Sequence, residues 1–419
     1  MTTPSTQAPK RHPWRFMLVL AALGPGVIAA SAGNDAGGIS TYSVAGAQFG
    51  YQMLWLIPIM TLVLVVVQEQ ATRMGAVTGK GFAALIRERF GIRPTLLAMA
   101  TLLFSNAATS ISEFAGIAAA GEILGVSRFV SVPIAALVVW LLVVRGSYRN
   151  VEKVFLALSA IFLTYVAAAW LAKPDWAVVA RATVVPSFQP TTAFVLLTIA
   201  AIGTTVAPWM QFFAQANVVD KGVTVKDLPL QRVDVIVGTV AAGIIAWCII
   251  VTTGTVLHPE GIVIDSAEHA ALALAPVAGR YASVLFAIGL AGASLLAACV
   301  LPLTSAYAIT EAFGFERGID RTWSEAPVFN GIYSFVIFFG AAFVLLPNLN
   351  LIAIMVFSQA VGGILLPFLL IFMMVIINDR RIMGRYVNGR VYNTIGWTTV
   401  VVVIALTVAL LGMQVLGVA

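Results

Sequence analysis

Charged side chains are scarce in this sequence. Asp, Glu, Lys and Arg together make up 10% of the 419 residues, whereas hydrophobic residues make up 60%. Soluble domains carry about 25% charged residues, so the composition predicts a polytopic membrane protein. Every polar gap between the apolar stretches is short, which leaves no room for a soluble domain. The net charge of +6 bears on orientation in the membrane and gives no indication of nucleic-acid binding.

Cysteine and histidine are also rare, and their positions exclude several kinds of site. Cys248 and Cys299 both lie in apolar runs, where cysteine acts as a small core side chain. His12 belongs to the N-terminal tail, and His258 and His269 share one loop. The sequence shows no phosphate-binding loop, nucleophile triad or pair of catalytic carboxylates. We therefore predict no enzyme and no bound cofactor.

Long apolar stretches, in contrast, are abundant. A transmembrane helix needs about 20 mostly apolar residues, and about eleven stretches meet that requirement. The first follows Arg15, and the others lie at about 51–76, 95–122, 128–145, 150–172, 191–219, 230–257, 280–313, 328–346, 350–376 and 393–416. The sequence therefore predicts an all-α polytopic membrane protein with about eleven transmembrane helices.

The distribution of basic residues predicts the orientation. With the N-terminus in the cytoplasm, all but four of the 24 Lys and Arg residues fall in cytoplasmic segments. The exceptions are Arg128, Lys173, Arg181 and Arg280. This excess follows the positive-inside rule. We predict a prokaryotic inner (plasma) membrane protein with a cytoplasmic N-terminus and an external C-terminus.

The first span contains a buried carboxylate and several glycines. Gly33, Gly37 and Gly38 interrupt the apolar run around Asp35. Glycine allows the helix to unwind, and unpaired carbonyls are tolerated in a membrane only where they line a cavity or hold a ligand. Asp35 beside such carbonyls predicts a cation site at membrane depth. The alternative is a kinked helix in which Asp35 pairs with a basic residue.

The sixth span is predicted to break as well, because Pro208 removes a backbone donor and opens the helix near Thr204. It lies five spans after the first break, an arrangement typical of transporters built from inverted repeats. A proline kink used only for packing is the alternative. We predict a disordered tail over 1–15, a core over 16–376 with spans 1–5 and 6–10 as repeats, and a loop with an added span over 377–419.

The N-terminal region also has features of a cleavable signal peptide. Basic residues precede an apolar run that contains Ala30-Ser31-Ala32. Cleavage there would leave the rest of the first span too short to cross a bilayer. We therefore favour an uncleaved first span.

Several different short motifs follow one another along the first ten spans. They are Gly24-Pro25-Gly26, Asp35, Gly37, Gly46-Ala47, Gly50-Tyr51 and Leu54-Trp55, the stretch from Gln68 to Lys80, the stretch from Glu113 to Gly116, Ala207-Pro208, and Gln359 with Leu366-Pro367-Phe368. These motifs resemble the NRAMP family of divalent-metal transporters. The resemblance implies a leucine-transporter-type fold with two inverted five-helix repeats and broken helices 1 and 6. It also implies divalent metal ions and the lipid bilayer as partners, with no nucleic acid and no obligate protein partner.

Two departures from the family pattern concern the metal ligands. Gly38 stands where the family has Asn, and Ala207 stands where it has a metal-binding Met. A thioether favours transition metals over Mg²⁺ and Ca²⁺, so its loss predicts an all-oxygen site. The predicted ligands come from Asp35, from carbonyls near Ala32 and Thr204, and from the side chains of Thr204 and Gln359.

The smaller residues also enlarge the site, which suits a partly hydrated Mg²⁺ because this ion keeps several of its waters. The pattern resembles the NRAMP-related magnesium transporters, a divergent branch of the family. Alternatively, the small residues only lower the affinity, or Met210 or Gln211 compensates.

Further departures from the family pattern concern the residues that carry protons in coupled relatives. Where proton-coupled relatives carry two His and an Asp, this chain has Trp209, Ala214 and Ser110. None of these side chains titrates near neutral pH, so transport without proton coupling is predicted. Of the carboxylates, Glu113 is expected either to shape the cavity, together with Trp209 and Gln211, or to stay protonated, and Glu69 is expected to pair with Arg73 four residues later.

Other functions stay open at this point. A proton-coupled Mn²⁺ or Fe²⁺ symporter is the ordinary family function, and an organic-cation or amino-acid carrier could use Asp35 for an ammonium group. A metal-sensing receptor lacks a signalling domain. The acidic loop over 258–269 could attract metal ions, but we expect it to be simply solvated.

Overall fold

The computed structural model describes residues 34–144, 164–318 and 321–416. Within these ranges the chain is helical and has no β-strand. The helices are α1 (Ala36–Phe49), α2 (Leu56–Thr78), α3 (Phe82–Phe90), α4 (Ile92–Ile123), α5 (Arg128–Val144), α6 (Thr164–Leu171), α7 (Trp176–Val184), α8 (Thr192–Thr205), α9 (Pro208–Asp220), α10 (Leu228–Val256), α11 (Ala267–Ala271), α12 (Ala275–Ala278), α13 (Ala282–Phe313), α14 (Pro327–Val344), α15 (Leu351–Asn378), α16 (Arg380–Met383) and α17 (Arg390–Val415).

The predicted spans are found in this series of helices. Eight helical stretches among the described residues are long and apolar enough to cross a membrane. The other three predicted spans coincide with α1, with the apolar helix α5 and with α6, and residues preceding α1 and α6 lie outside the described part. The sequence analysis missed the short helices α3, α7 and α11, because none is long enough to give a clear apolar period.

The predicted break in the sixth span is confirmed. The helix α8 ends at Thr205, and α9 begins at Pro208, which occupies its first turn. Proline is favoured there because the first amides of a helix have no intrahelical acceptor. The first span shows a helix start at the same kind of place: α1 begins directly after Asp35. The predicted chain path for Gly24 to Gly33 lies outside the described residues.

The centre of the bundle is α4, which packs against α13, α14 and α15. The helix α1 lies against α10, α15 and α8, so the two broken spans are neighbours. The added last helix α17 packs on α15, α8 and α2. Helices with small residues at their contacts can approach closely, and Gly46 of α1 faces the backbone of α10 at Ile250.

Most basic loops gather at one end of the bundle, which we call the inner end. Arg73 donates to the carbonyls of Tyr386 and Val387 and to Asn388 Oδ1 (2.6 Å), so α2 holds the loop before α17. The predicted pair of Glu69 and Arg73 is present at 3.1 Å. Glu69 also pairs with Arg232 of α10 at 2.9 Å, a partner that the sequence spacing did not reveal.

Polar contacts also hold the opposite end of the bundle, which we call the outer end. Trp55 Nε1 donates to the Ser187 carbonyl (2.9 Å), and Tyr51 shares a hydrogen bond with Thr255 (2.8 Å). These contacts join the turn after α1 to the segment before α8 and to the end of α10.

Candidate metal site

Asp35 lies at the start of α1 and is almost completely buried, with 2% of its surface exposed. Its Oδ1 accepts a hydrogen bond from the Gly38 backbone N–H at 2.7 Å, which makes it the N-cap of the helix. The positive end of a helix dipole favours a negative charge at this position. The carboxylate is therefore oriented by its own helix while its second oxygen is left to bind elsewhere.

Glu113 of α4 approaches the same helix start. Its Oε2 accepts from the Ala36 backbone N–H at 3.3 Å, and its carboxyl group lies close enough to Asp35 to interact with it. Its Oε1 has no partner among the described residues. Two carboxylates in one buried site repel each other unless a proton or a cation lies between them. Glu113 therefore contacts the start of α1 beside Asp35, which goes beyond the predicted role of shaping the cavity.

The broken sixth span contributes further oxygens. Since Pro208 has no N–H, the Thr204 carbonyl cannot make its helical hydrogen bond to the residue four positions later. The Thr204 hydroxyl is buried and has no partner in the described structure. Ala207 occupies the turn between α8 and α9 and supplies no side-chain cap.

Gln359 of α15 lies directly against α1. A Cβ atom added at Gly37 would overlap the Gln359 amide, so this contact depends on glycine. The Gln359 Nε2 has no partner within the described ranges. On the other side of the residue, its backbone carbonyl lies against Gly203 of α8. The α15 helix therefore brings Gln359 into contact with both broken spans.

The other residues predicted for the site are Gln211, Trp209, Gly38 and Ala32. Gln211 bonds to the start of its own helix, because its amide nitrogen is assigned as the donor to the Ala207 and Pro208 carbonyls. Trp209 is fully buried and packs edge-on against Phe213 at 6.0 Å between ring centres. Gly38 binds Asp35 through its backbone. Ala32 lies outside the described residues.

Two residues near the break, Asn34 and Tyr42, were missed by the sequence analysis, which named Met210 only as a residue that could compensate for the lost ligand. Asn34, Tyr42 and Met210 line a cavity of about 20 Å³ beside Thr205. The Tyr42 hydroxyl shares a hydrogen bond with Thr205 Oγ1 at 2.8 Å, which ties α1 to α8. The Met210 sulfur lies 3.9 Å from Gln68 Nε2 and accepts from it. Asn34 could have been noticed as the polar neighbour of Asp35 in the glycine-rich stretch.

The acidic loop over 258–269 is largely exposed, in line with the expectation that it is solvated. His269 Nδ1 lies 2.8 Å from Asp265, and His258 Nδ1 contacts the Ala47 carbonyl at 2.9 Å. Within the described ranges no cluster of three or more His, Cys, Asp and Glu residues could hold a metal ion.

The family model for natural resistance-associated macrophage protein-like (Nramp) proteins matches residues 26–412. The chain belongs to the Nramp family. A divalent metal cation transporter, MntH, of Deinococcus radiodurans is 29% identical over 93% of this chain and 88% of its own length.

Solved structures show the same fold. An Eremococcus coleocola manganese transporter, crystallised with an aromatic bis-isothiourea compound, matches 98% of this Nramp chain and 89% of its own, with 22% identity and a TM-score of 0.78. Mhp1, a nucleobase-cation-symport-1 family transporter, matches 93% of this chain and 92% of its own, with 14% identity and a TM-score of 0.56. The predicted leucine-transporter-type fold is confirmed, and so is the prediction of a transporter rather than an enzyme.

The contact between α8 and α15 yields a prediction for this Nramp protein. In Gly203→Ala the new Cβ would overlap the Gln359 carbonyl and the Gly363 amide nitrogen, which are backbone atoms that cannot move aside. We expect a loss of about 1 to 3 kcal/mol in stability, as for other overpacked sites, seen as a lower melting temperature in detergent.

Gly331→Ala in α14 is the matched control, because a Cβ there meets nothing within 4 Å. It should be neutral or stabilising by about 0.5 to 1 kcal/mol, since Ala is the better helix former. Equal melting temperatures for the two variants would contradict the close approach of α8 and α15.

Proposed function

We propose that this protein imports Mg²⁺, and also Mn²⁺, across a prokaryotic inner membrane, and that it belongs to the NRAMP-related magnesium transporter branch of its family. The ion moves down its electrochemical gradient, partly hydrated and without an accompanying proton. Residues 16–376 form the transporting core, the N-terminus is cytoplasmic and the C-terminus is external. Asp35, Thr204 and Gln359 bind the ion, with carbonyls near Ala32 and Thr204.

The observation that carries this proposal is that the candidate ligands at Asp35 and at the break before Pro208 offer oxygen atoms. The Asp35 carboxylate, the nearby Glu113 carboxyl group and the unpartnered Thr204 hydroxyl are all hard ligands. Ala207 offers no sulfur, and the neighbouring Met210 sulfur already accepts from Gln68. Hard oxygen ligands suit Mg²⁺, whereas a thioether would select against it.

The unpartnered groups favour a hydrated ion. Buried polar groups normally have hydrogen-bond partners. Partners are missing in the described structure for the Thr204 hydroxyl, the Gln359 amide nitrogen and Glu113 Oε1. Mg²⁺ keeps several waters in its shell of six ligands, and these waters can donate to the Thr204 hydroxyl oxygen and to Glu113 Oε1.

The organic-cation alternative is disfavoured by volume. The cavity beside Asn34, Tyr42 and Met210 measures about 20 Å³. That is roughly the space of one water molecule. This cavity is lined by Asn34 and Thr205, the chain neighbours of Asp35 and Thr204, and it is far too small for an amino acid or an organic amine.

The manganese alternative is supported by the relatives, since both MntH of Deinococcus radiodurans and the Eremococcus coleocola protein are named as metal transporters. A proton-coupled symporter, however, needs titratable groups that lead away from the site. In the described structure Glu113 bonds to Ala36 and lies against Asp35, and no further titratable side chain continues the chain of hydrogen bonds. Trp209, Ala214 and Ser110 hold the positions where coupled relatives have such groups.

The membrane potential is sufficient to drive uptake. An inside-negative potential contributes about 2.3 kcal/mol per charge per 100 mV, and roughly twice that for a divalent ion. Proton coupling is therefore not required for import.

The first prediction concerns Asp35→Asn, which keeps the shape of the side chain and removes its charge. We expect transport of Mg²⁺ to fall to background in liposomes while the melting temperature in detergent is retained. Glu122→Gln, which removes an exposed carboxylate paired with Arg128, should transport normally. Near-normal Mg²⁺ flux in Asp35→Asn would refute the assignment of Asp35.

The second prediction concerns Ala207→Met, which adds a soft ligand and fills space that water occupies. The parent should carry Mg²⁺ and Mn²⁺ with little preference, and the variant should shift toward Mn²⁺. Ala207→Leu adds a similar volume without sulfur, so it should lower both fluxes without this shift. An unchanged flux ratio in Ala207→Met would show that residue 207 does not face the ion.

The third prediction is that metal entry does not acidify the liposome interior. A pH-sensitive dye is trapped inside, a fixed membrane potential is applied, and Mg²⁺ or Mn²⁺ is added outside. We expect metal uptake with no dye response. Acidification that depends on the metal concentration and saturates with it would show that protons enter with the metal, and it would contradict this prediction.

A further inference from the structure

A second pocket lies at the outer end, far from Asp35 in the fold. It has a volume of about 610 Å³ and is bordered by the turn after α1, by the segment from α6 to α8 and by the end of α10. Lys173, Asp175, Arg181 and His258 are among its lining residues. We call it the interfacial pocket.

Two cations of this pocket lack ionic partners. Of the four basic residues predicted at the outer end, Arg128 pairs with Glu122 at 3.2 Å and Arg280 stacks on Tyr281 at 4.9 Å. Lys173 and Arg181 form no ion pair with any described residue, and both line the interfacial pocket. Lys173 and Arg181, which have no ion-pair partner among the described residues, thus lie in one concave site.

The one carboxylate in the pocket is already engaged. Asp175 Oδ1 caps α7 by accepting from the backbone amides of Ala177 (2.9 Å) and Val178 (3.3 Å). An N-cap carboxylate is stabilised by the helix end. Lys173 and Arg181 are left to attract a separate anion, and His258 adds a ring nitrogen at the pocket wall.

The backbone at Lys173 is also unusual. Its φ of 53° lies in the left-handed region, which among the described residues other than glycine is shared only with Asn348. Glycine or Asn normally occupies this conformation after a helix, because a longer side chain is disfavoured there. The turn thus places the charged Lys173 side chain at the edge of the pocket, and the backbone at this residue is strained.

The surroundings of the pocket are apolar and face outward. Trp170 is 71% exposed, Trp176 38% and Val178 48%. The rings of Trp170 and Trp176 lie 5.3 Å apart, and Trp176 stacks on Trp247 at 6.4 Å. Exposed tryptophans mark the level of the lipid headgroups, and a short helix with an apolar exposed face is typical of the membrane interface.

We propose that the interfacial pocket binds the phosphate of an anionic phospholipid from the outer leaflet. Lys173 and Arg181 contact the phosphate oxygens, and the acyl chains lie over Trp170 and Trp176. A guanidinium group can bind two phosphate oxygens at once, which favours a fixed headgroup position. The apolar rim distinguishes a lipid from free phosphate, since a soluble anion has nothing to bury against the tryptophans.

The test is native mass spectrometry of the purified protein titrated with phosphatidylglycerol, and separately with phosphatidylcholine. In the double variant Lys173→Gln, Arg181→Gln we expect the tightest phosphatidylglycerol to bind about tenfold or more weakly, because each basic residue near a membrane surface contributes to anionic lipid binding. The charge-conserving double variant Lys173→Arg, Arg181→Lys should retain binding. Arg280→Gln, which removes an exposed arginine outside the pocket, is the matched control.

Unchanged phosphatidylglycerol binding in the double Gln variant would overturn the proposal, as would an equal loss in Arg280→Gln. Displacement of the lipid by millimolar inorganic phosphate would show a free-anion site instead and would also overturn it. Melting temperatures of all variants establish that each is folded. Because the readout is lipid binding and not ion flux, it is independent of whether Mg²⁺ or Mn²⁺ is the transported ion.

Discussion

The buried start of α1 is the constraint on which the rest of this transporter depends. A helix that begins inside a membrane protein has amides without helical acceptors, and in a low-dielectric interior these must be satisfied by other groups. Asp35 and Glu113 meet this need by accepting from Gly38 and Ala36. Doing so brings two acidic groups together, and their repulsion is relieved only by a proton or a cation. The hydrogen-bonding requirement of the backbone and the proposed affinity for a cation thus have the same origin.

The features that could be predicted from the sequence are those with a local cause. Pro208 cannot continue a helix, so the break before it follows from one residue. Asp35 stands out because a carboxylate in an apolar run is costly wherever the chain folds. The spans themselves follow from long apolar stretches, and the pair of Glu69 and Arg73 follows from helical spacing.

The features that escaped prediction depend on contacts between distant parts of the chain. Glu113 lies 77 residues from Ala36, and nothing in either segment encodes the hydrogen bond between them. The third member of the Glu69 pair, Arg232, comes from another helix. The same holds for Tyr42 and Thr205, whose hydroxyls meet only because α1 and α8 pack together. Side-chain roles within the site were therefore harder to infer than the fold.

One consequence concerns how the helices can move. Where α8 crosses α15, Gly203 lies against the Gln359 carbonyl and Gly363 against the Ile199 carbonyl, so backbone meets backbone with no side chain between them. Side chains can change rotamer to let two helices slide, but bare backbones have nothing to rearrange. Any rotation of one helix relative to the other would then take place about this crossing point. Because Gln359 and Thr204 flank this crossing, the two residues proposed as ligands would move least, while the ends of the two helices would move most.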